Sequence, residues 1–479
     1  MLWACITLPH LALDTLQRRR PSDGPPLVLI DGPLQARYVM DADATAQAAG
    51  IRAGQALPAA HALLARFDAI AHDPALTAQQ HDLLAAWAYR YSAEVLRLPD
   101  VGGRGALALE VQRSHRLFGH WPDFAKKLRD DLASMGFRHR LALAPTPLAA
   151  RALAQAADGA VIADPARLRQ RLARLPLACA GLPDGIEESL AGIGIHQLGA
   201  LLALPRDGLR RRFGAALPDH LDDLLGEQAT PLPRYLPPDR FDLRIEFNFD
   251  VENLASLAFP LRRLTGDLAD FLAGRDGGVQ RFVLSLGHRG HAPTRVIVGL
   301  LQPERDPAAL FELARSRLER VSLDHPVIFL RLRATELPPF VPGGRDLFDQ
   351  RPEHAIPLEQ LQERLRARLG DASVHRLQAT VDPRPEQAQR IMPARAAHVV
   401  PTTLPRPTWL LPKPVPLRGH GLRILAGPER IESGWWDGGD LRRDYYVLET
   451  ADGQRAWAFC PPGERPGHDG GWMLHGWFA

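Results

Sequence analysis

The chain is nearly without lysine: of its 58 basic residues, only Lys126, Lys127 and Lys413 are lysines. None of the three follows a glycine-rich loop, so a GxxxxGK[ST] phosphate cradle is excluded. Cysteine is almost as scarce. Cys5, Cys179 and Cys460 lie far apart and form no CxxC pair, which argues against a disulfide framework or a zinc site and fits a reducing compartment. HExxH, GxSxG and GxGxxG are missing as well. No stretch reaches the roughly 18 apolar residues of a membrane span. The opening segment MLWACITLPHLALDTLQRRR has no basic residue before its apolar part, and His10 and Asp14 break that part. It is read as the start of a domain rather than as a signal peptide. A soluble, cytoplasmic protein without membrane contact is expected.

The 479 residues suffice for roughly three domains, and 46% hydrophobic with 24% charged residues is ordinary for a globular chain. A net charge of +3 is too small to imply nucleic acid by itself. Arginine in place of lysine reflects a GC-rich genome in the plain reading; it also suits phosphate contacts wherever it clusters. The eighteen histidines are scattered without metal-ligand spacing, and no metal or cofactor is expected.

Periodicity predicts a strand at Leu2–Leu8, a helix from Leu11 to Arg20, a strand at 27–31, and two short helices between Asp43 and Phe67. A longer helix is expected over Thr77–Leu98, because Leu83, Leu84, Trp87, Tyr91, Val95 and Leu98 share one face. Strands at 106–111 and 140–144 alternate with helices at 121–135 and 147–157. This is the signature of a mixed α/β domain reaching about residue 160. Short helices separated by Gly and Pro fill 164–228. Residues 240–337 then read as strand, helix, two strands, helix and strand, a βαββαβ unit. Proline-dense sequence follows to about 416, interrupted by a helix at Leu358–Leu369. The tail from 421 returns to strands and carries Trp435, Trp436, Trp457, Trp472 and Trp477.

This order of domains resembles that of the Y-family DNA polymerases, with palm, fingers, thumb and little finger. Four segments carry the resemblance: AGIRAGQALPAAHALLARFDAIAHDP at 49–74 for the fingers, LEVQRSHRLFG at 109–119 for the palm LDVTGS stretch, ALAPTPLAARALAQAADG at 142–159 for the GIAxNKxxAKxAS helix, and LAGIGIHQLGALLALP at 190–205 for the thumb helix–hairpin–helix. The fold expected is α+β and multidomain. A palm- and fingers-like part occupies 1–163, with fingers at about 21–76. A helical thumb at 164–236 and a βαββαβ little finger at 237–337 follow. A Pro-rich linker at 338–416 and a β-rich partner-binding module at 417–479 complete the chain.

The family holds two metal ions with an aspartate after the first strand and an Asp-Glu pair before the LDVTGS-like stretch. Those ions neutralise charge on the transferred phosphoryl group. Here Thr7 (or Leu8) takes the first position, and Gly105 and Ala106 take the pair. Only Glu110 remains. The Tyr-x-x-Arg that contacts the incoming triphosphate aligns with Ala44 and Gln47. Catalysis is therefore expected to be lost, the alternative being an active error-prone polymerase whose carboxylates lie elsewhere.

A silent branch of the family with a long C-terminal extension works in a DNA-damage-induced mutasome. The tail sequence GPERIESGWWDGGDLRRDYYVLE with WMLHGWFA is similar to that extension. The resemblance implies as partners the sliding clamp, a RecA-like protein, and a separate error-prone C-family polymerase α subunit. Asp346, Leu347 and Phe348, in GRDLF, match a clamp-binding peptide of the QL[SD]LF type, with Gly344 in place of its glutamine. Sequence-independent contacts to primer-template DNA are expected from the turn at Gly192 and Gly194, from Arg210, Arg211 and Arg212, and from Arg289 and Arg295. Arg262, Arg263 and Arg281 are further candidates, each with a solvated helix face as the plain alternative. Of Trp435 and Trp436, at least one is expected in the core of the tail module.

Overall fold

The computed structural model describes residues 1–20, 24–98, 104–183, 185–228, 231–341, 358–380, 382–392, 405–464 and 471–478. The chain divides into two compact units, Met1–Arg368 and Leu369–Ala479.

The first unit begins with β1 (Trp3–Leu8) and α1 (Leu11–Gln17). β2 (Leu27–Asp31), β3 (Tyr38–Ala42), α2 (Ala44–Ala48), α3 (Leu57–Leu63) and β4 (Asp68–Ala71) then form a small three-stranded sheet, ordered β3-β2-β4, with its helices. α4 (Pro74–Ala88), β5 (Val95–Leu98), β6 (Gly105–Glu110), α5 (His115–Phe118), α6 (Trp121–Ser134), β7 (Arg140–Ala144) and α7 (Pro147–Ala156) complete a four-stranded antiparallel sheet ordered β5-β6-β1-β7. Both faces of this sheet are covered, so β1 and β6 read as continuous apolar runs. Leu84 and Trp87 of α4, with Phe124, Leu128 and Leu132 of α6, pack one face. On the other, Cys5, Ala106, Ala108, Ala142 and Ala144 meet the alanines of α7 and the helices that follow.

The helix expected over Thr77–Leu98 stops at Ala88. Val95 and Leu98 belong instead to β5, which pairs with Leu109–Ala106 of β6. The apolar spacing of a helix face and that of a buried strand coincide over this stretch, and pairing with β6 decides between them.

Five short helices follow: α8 (Pro165–Leu172), α9 (Ile186–Ala191), α10 (Leu198–Leu202), α11 (Arg206–Phe213) and α12 (Ala216–Leu225). β8 (Phe241–Val251), α13 (Ala258–Gly274), β9 (Val279–His288), β10 (His291–Glu304), α14 (Pro307–Leu318) and β11 (Val327–Glu336) give the βαββαβ order, with an antiparallel sheet β10-β9-β11-β8. α13 and α14 cover one face, burying Phe282, Leu284, Leu286, Leu330 and Leu332. Leu83 and Ala86 of α4 belong to this same core. Gly274 makes the approach possible, since a Cβ there would stand 2.1 Å from the Ala86 carbonyl oxygen. α15 (Leu358–Leu369) lies against the same sheet's edge, with Ala367 in its core.

The second unit holds a short hairpin, β12 (Arg376–Ala379) with β13 (Gln389–Met392). Its main element is a five-stranded antiparallel sheet of β14 (Trp409–Pro416), β15 (Arg423–Ser433), β16 (Leu441–Glu449), β17 (Arg455–Cys460) and β18 (Met473–Trp477), ordered β14-β18-β17-β16-β15. The proline-rich stretch 409–416 thus contributes an edge strand, paired to β18 at both ends. An edge is where proline, lacking an amide, is tolerated. Trp457 and Trp472 are core residues, and Trp457 stacks on Tyr445 at 4.0 Å.

Candidate functional site

Thr7 stands opposite Ala106, and Leu8 opposite Gly105, at one end of the β1–β6 pair. The three positions where the resemblance expects carboxylates are therefore neighbours. None carries a carboxylate, and the space at Gly105 is filled. A Cβ there would lie 2.6 Å from Leu11 Cδ2 and 3.2 Å from the His81 ring. His81 is fully buried. Its Nε2 donates to the Ala106 carbonyl at 3.0 Å, and its Nδ1 accepts from Arg97 Nε at 3.3 Å. A carbonyl can only accept, so the ring is the neutral Nε2–H tautomer. Burial, reinforced by the Arg97 charge, pushes its pKa down to about 4. Thr7 Oγ1 is buried without a hydrogen-bond partner.

Glu110 does not join this group. It sits at the far end of β6, opposite Trp3, roughly 16 Å along the strand at ~3.3 Å per residue. Its carboxylate accepts the amides of Gln112 (3.1 Å) and Arg113 (3.4 Å), closing the turn after the strand. Among the described residues no cluster of three or more His, Cys, Asp or Glu side chains could hold a metal ion. The residues at 7, 105 and 106 do not fit the family's metal pair.

Beside this floor a cleft of about 270 Å³ opens between β1–α1 and the small sheet, lined by His10, Asp41, Gln47, Ile51, Arg52 and Arg104 among others. Its polar groups bond to one another. His10 Nδ1 lies 2.7 Å from Asp41 Oδ2. Gln47 Nε2 donates back to Ala42 O at 2.7 Å, and Arg52 donates to the carbonyls of Gln47 and Ile51. Asp43 caps α2 through Ala46 N at 2.8 Å. Ala44 and Gln47, on that helix, offer the cleft no tyrosine or arginine. Nothing local in the sequence links His10 to Asp41 or His81 to Ala106; only the fold brings them together.

The thumb-like turn is closed on itself. The amides of Gly192, Ile193, Gly194 and Ile195 donate to Glu188 O, Leu190 O, Ala191 O and Leu190 O at 2.9–3.1 Å. Arg210, Arg211 and Arg212 are exposed in the last turn of α11, Arg210 lying 3.4 Å from Asp219.

The exposed face of the β10-β9-β11-β8 sheet carries several arginines. Register places Arg295, Ser285, Arg331 and Arg244 in one row across all four strands. Arg281 and Arg333 share that exposed face. Asp242 grips Arg331 through two contacts of 2.6 Å, and Arg244 stacks on Phe329 at 3.7 Å. Arg289 lies apart in the β9–β10 turn, 3.6 Å from Asp250. Arg262 and Arg263 belong to α13 on the opposite side, Arg262 over Phe311 and Arg263 donating to Met135 O at 2.7 Å. Arg244, Arg331 and Arg333 escaped the sequence reading, though the alternation in FDLRIEF and FLRLRATE marked them as outward.

Asp346, Leu347 and Phe348 lie outside the described residues. In the second unit both Trp435 and Trp436 are exposed, on the β15–β16 turn. Arg384 holds Asp437 of that turn at 2.6 and 3.0 Å. The expectation that one of the two is core fails: they fall past the last paired residue of β15, Ser433, where the sheet has no interior.

The impB/mucB/samB family profile matches residues 12–155. Protein ImuB of Caulobacter vibrioides, in two strains, is 29% identical over 471 residues, covering 90% of this chain and 100% of the relative. The chain is similar to Protein ImuB over most of its length, and one segment of it matches the impB/mucB/samB profile. DinB of Sulfolobus solfataricus is among the similar solved structures, at 14% identity and a TM-score of 0.39 over 70% of this chain and 98% of that one. The insertion ternary complex of Dbh DNA polymerase stands at 12% and the same TM-score. The profile match spans β6 and most of the cleft, including Ala44, Gln47, Gly105 and Ala106, while Thr7 and His10 precede it.

Proposed function

We propose that the chain is a non-catalytic adaptor in translesion synthesis during the SOS response to DNA damage. It bridges the sliding clamp, primer-template DNA and a separate error-prone C-family polymerase α subunit, together with a RecA-like ImuA-type protein. The observation that carries this reading is the wall around Gly105. Leu11 and His81 occupy the space a carboxylate side chain would need. Two divalent ions cannot be held by Thr7, Gly105 and Ala106, and phosphoryl transfer in this family depends on them.

In this reading residues 1–163 are palm and fingers, 164–236 the thumb and 237–337 the little finger. Asp346, Leu347 and Phe348 dock on the clamp from the Pro-rich linker at 338–416. The module at 417–479 presents Trp435 and Trp436 to a protein partner. DNA is held through the arginine row on the little-finger sheet, with Arg210, Arg211 and Arg212 adding thumb contacts. The chain works in the cytoplasm, without a cofactor.

Primer extension by the purified full chain, with Mg²⁺ or Mn²⁺, tests the reading. No incorporation is expected. Template-dependent extension abolished by Glu110→Gln overturns it in favour of an active polymerase.

A further inference from the structure

Helix α15 faces the wrong way for a helix that merely caps a sheet. Its inward face is nearly free of large apolar side chains. Glu363 is buried there, and its Oε1 accepts the amides of Leu301 (2.5 Å) and Gln302 (3.4 Å) on the edge strand β10. Ala367 packs beside it into the little-finger core. The leucines point outward: Leu358, Leu361, Leu365 and Leu369 are 59%, 42%, 38% and 56% exposed.

Those four positions fall within about 80° of arc at ~100° per residue, and Glu363 and Ala367 fall on the opposite side. The spacing is three, four and four residues: Leu358, Leu361 and Leu365 follow a coiled-coil seam, and Leu369 continues the stripe one turn on. An exposed leucine stripe on a helix whose other face is already fixed is a surface prepared for an apolar partner. Among the described residues, the exposed charges beside it towards the C-terminal half are basic. Arg364 and Arg368 are exposed alongside the stripe, and Arg366 lies between them in sequence. Glu363 is turned away, towards β10. A second copy of α15 would bring arginine against arginine over that half, whereas an acidic flank would be attracted.

We propose that the leucine stripe of α15 is a docking seam for an amphipathic helix of a partner protein, apolar on one face and acidic on its flanks. It uses residues other than those of the arginine row on the sheet and the tryptophan turn of the second unit. It does not depend on whether the chain polymerises DNA.

The probe is a synthetic helical peptide about three heptads long, with leucine at the seam positions and glutamate at the flanks. A lysine-flanked counterpart serves as control, both used below their self-association concentration. Fluorescence anisotropy with the full chain should show the glutamate peptide binding and the lysine peptide binding at least about tenfold more weakly. Leu361→Ser with Leu365→Ser should weaken the glutamate peptide by at least about tenfold and lower the thermal midpoint only slightly, since neither leucine is in the core and serine is a somewhat poorer helix former. Arg364→Glu with Arg368→Glu should reverse the preference between the peptides. Equal binding of both peptides, or none, overturns the proposal. A dimer in sedimentation velocity that the double serine variant dissolves assigns the stripe to a second copy and overturns it too. A clear fall in that variant's thermal midpoint means that the chain itself covers the stripe, and the docking seam is then ruled out.

Discussion

Arg18 Nη2 lies 2.6 Å from Asp267 Oδ1, with side chains only 5% and 7% exposed. The pair joins the end of α1 to α13 across 249 residues of sequence. It lies alongside the Phe137 ring, 4.3 Å from the guanidinium, and the Arg263 bond to Met135 O. Removing one partner strands the other charge, so Asp267→Leu or Arg18→Met alone should cost roughly 3–5 kcal/mol. The double variant should recover most of that loss. Urea denaturation of the four chains checks it, and additive single effects would show that the two residues act independently.

Restoring carboxylates at the floor should fail structurally as well as chemically. Gly105→Asp drives a side chain into Leu11 and His81, and overpacking of this kind costs about 1–3 kcal/mol before the buried charge is counted. Thr7→Asp, with Gly105→Asp and Ala106→Glu, should melt at a lower temperature and extend no primer. A triple variant with the original melting temperature would show that the pocket yields.

His81 and Asp270 should give opposite pH profiles. The folded pKa of His81, about 4, lies below the ordinary histidine value of 6.5. The stability tied to its neutral form is full above 6.5 and lost as pH falls towards 4. Asp270 is pushed up to about 7, by burial first and then by the neighbouring Asp267. Its favourable neutral form is lost as pH rises from about 3.8 through 7. The advantage of the natural chain over His81→Asn should therefore grow between pH 4 and 6.5, while Asp270→Asn should gain on the natural chain up to and beyond pH 7. Chemical denaturation at a series of pH values reads both.

DNA affinity should fall steeply with salt and show no sequence preference. Arg333→Ala and Arg295→Ala should each lower the slope of log affinity against log salt by about 1. Arg262→Ala, on the helix side, should leave that slope unchanged.

Leu347→Ala with Phe348→Ala should weaken clamp binding by at least about tenfold, since each buried apolar side chain is worth roughly 1.5–3 kcal/mol before ordering costs. Thermal stability should hold. Intact clamp binding in this variant would place the docking site elsewhere.

The βαββαβ unit was legible because period-2 alternation in 279–288 and 327–336 is a local property, and so was the apolar run of β1. The α4–β5 boundary was not, because Val95 and Leu98 satisfy a helical face as well as a strand. The floor was half legible. Sequence showed that Gly105 and Ala106 are not acidic, but not that Leu11 and His81 stand in the space beside Gly105. That closure depends on contacts such as His81 with Ala106, 25 residues apart, and His10 with Asp41, 31 apart, which no motif spacing records. The outward leucines of α15 were invisible for a related reason: a stripe reads as core until something shows which way the helix is turned.

Strand β14 leaves one flank of the tryptophan-rich sheet poorly suited to pairing with another chain. An open sheet ends in a row of free donors and acceptors that invites another chain's strand to continue it. Pro412, Pro414 and Pro416 stand at every second position of that end strand. Successive amides of a strand point to opposite sides, so these prolines leave one side of it without donors. A foreign strand arriving there meets carbonyl acceptors without the matching donors, which weakens growth by stacking copies edge to edge on that flank.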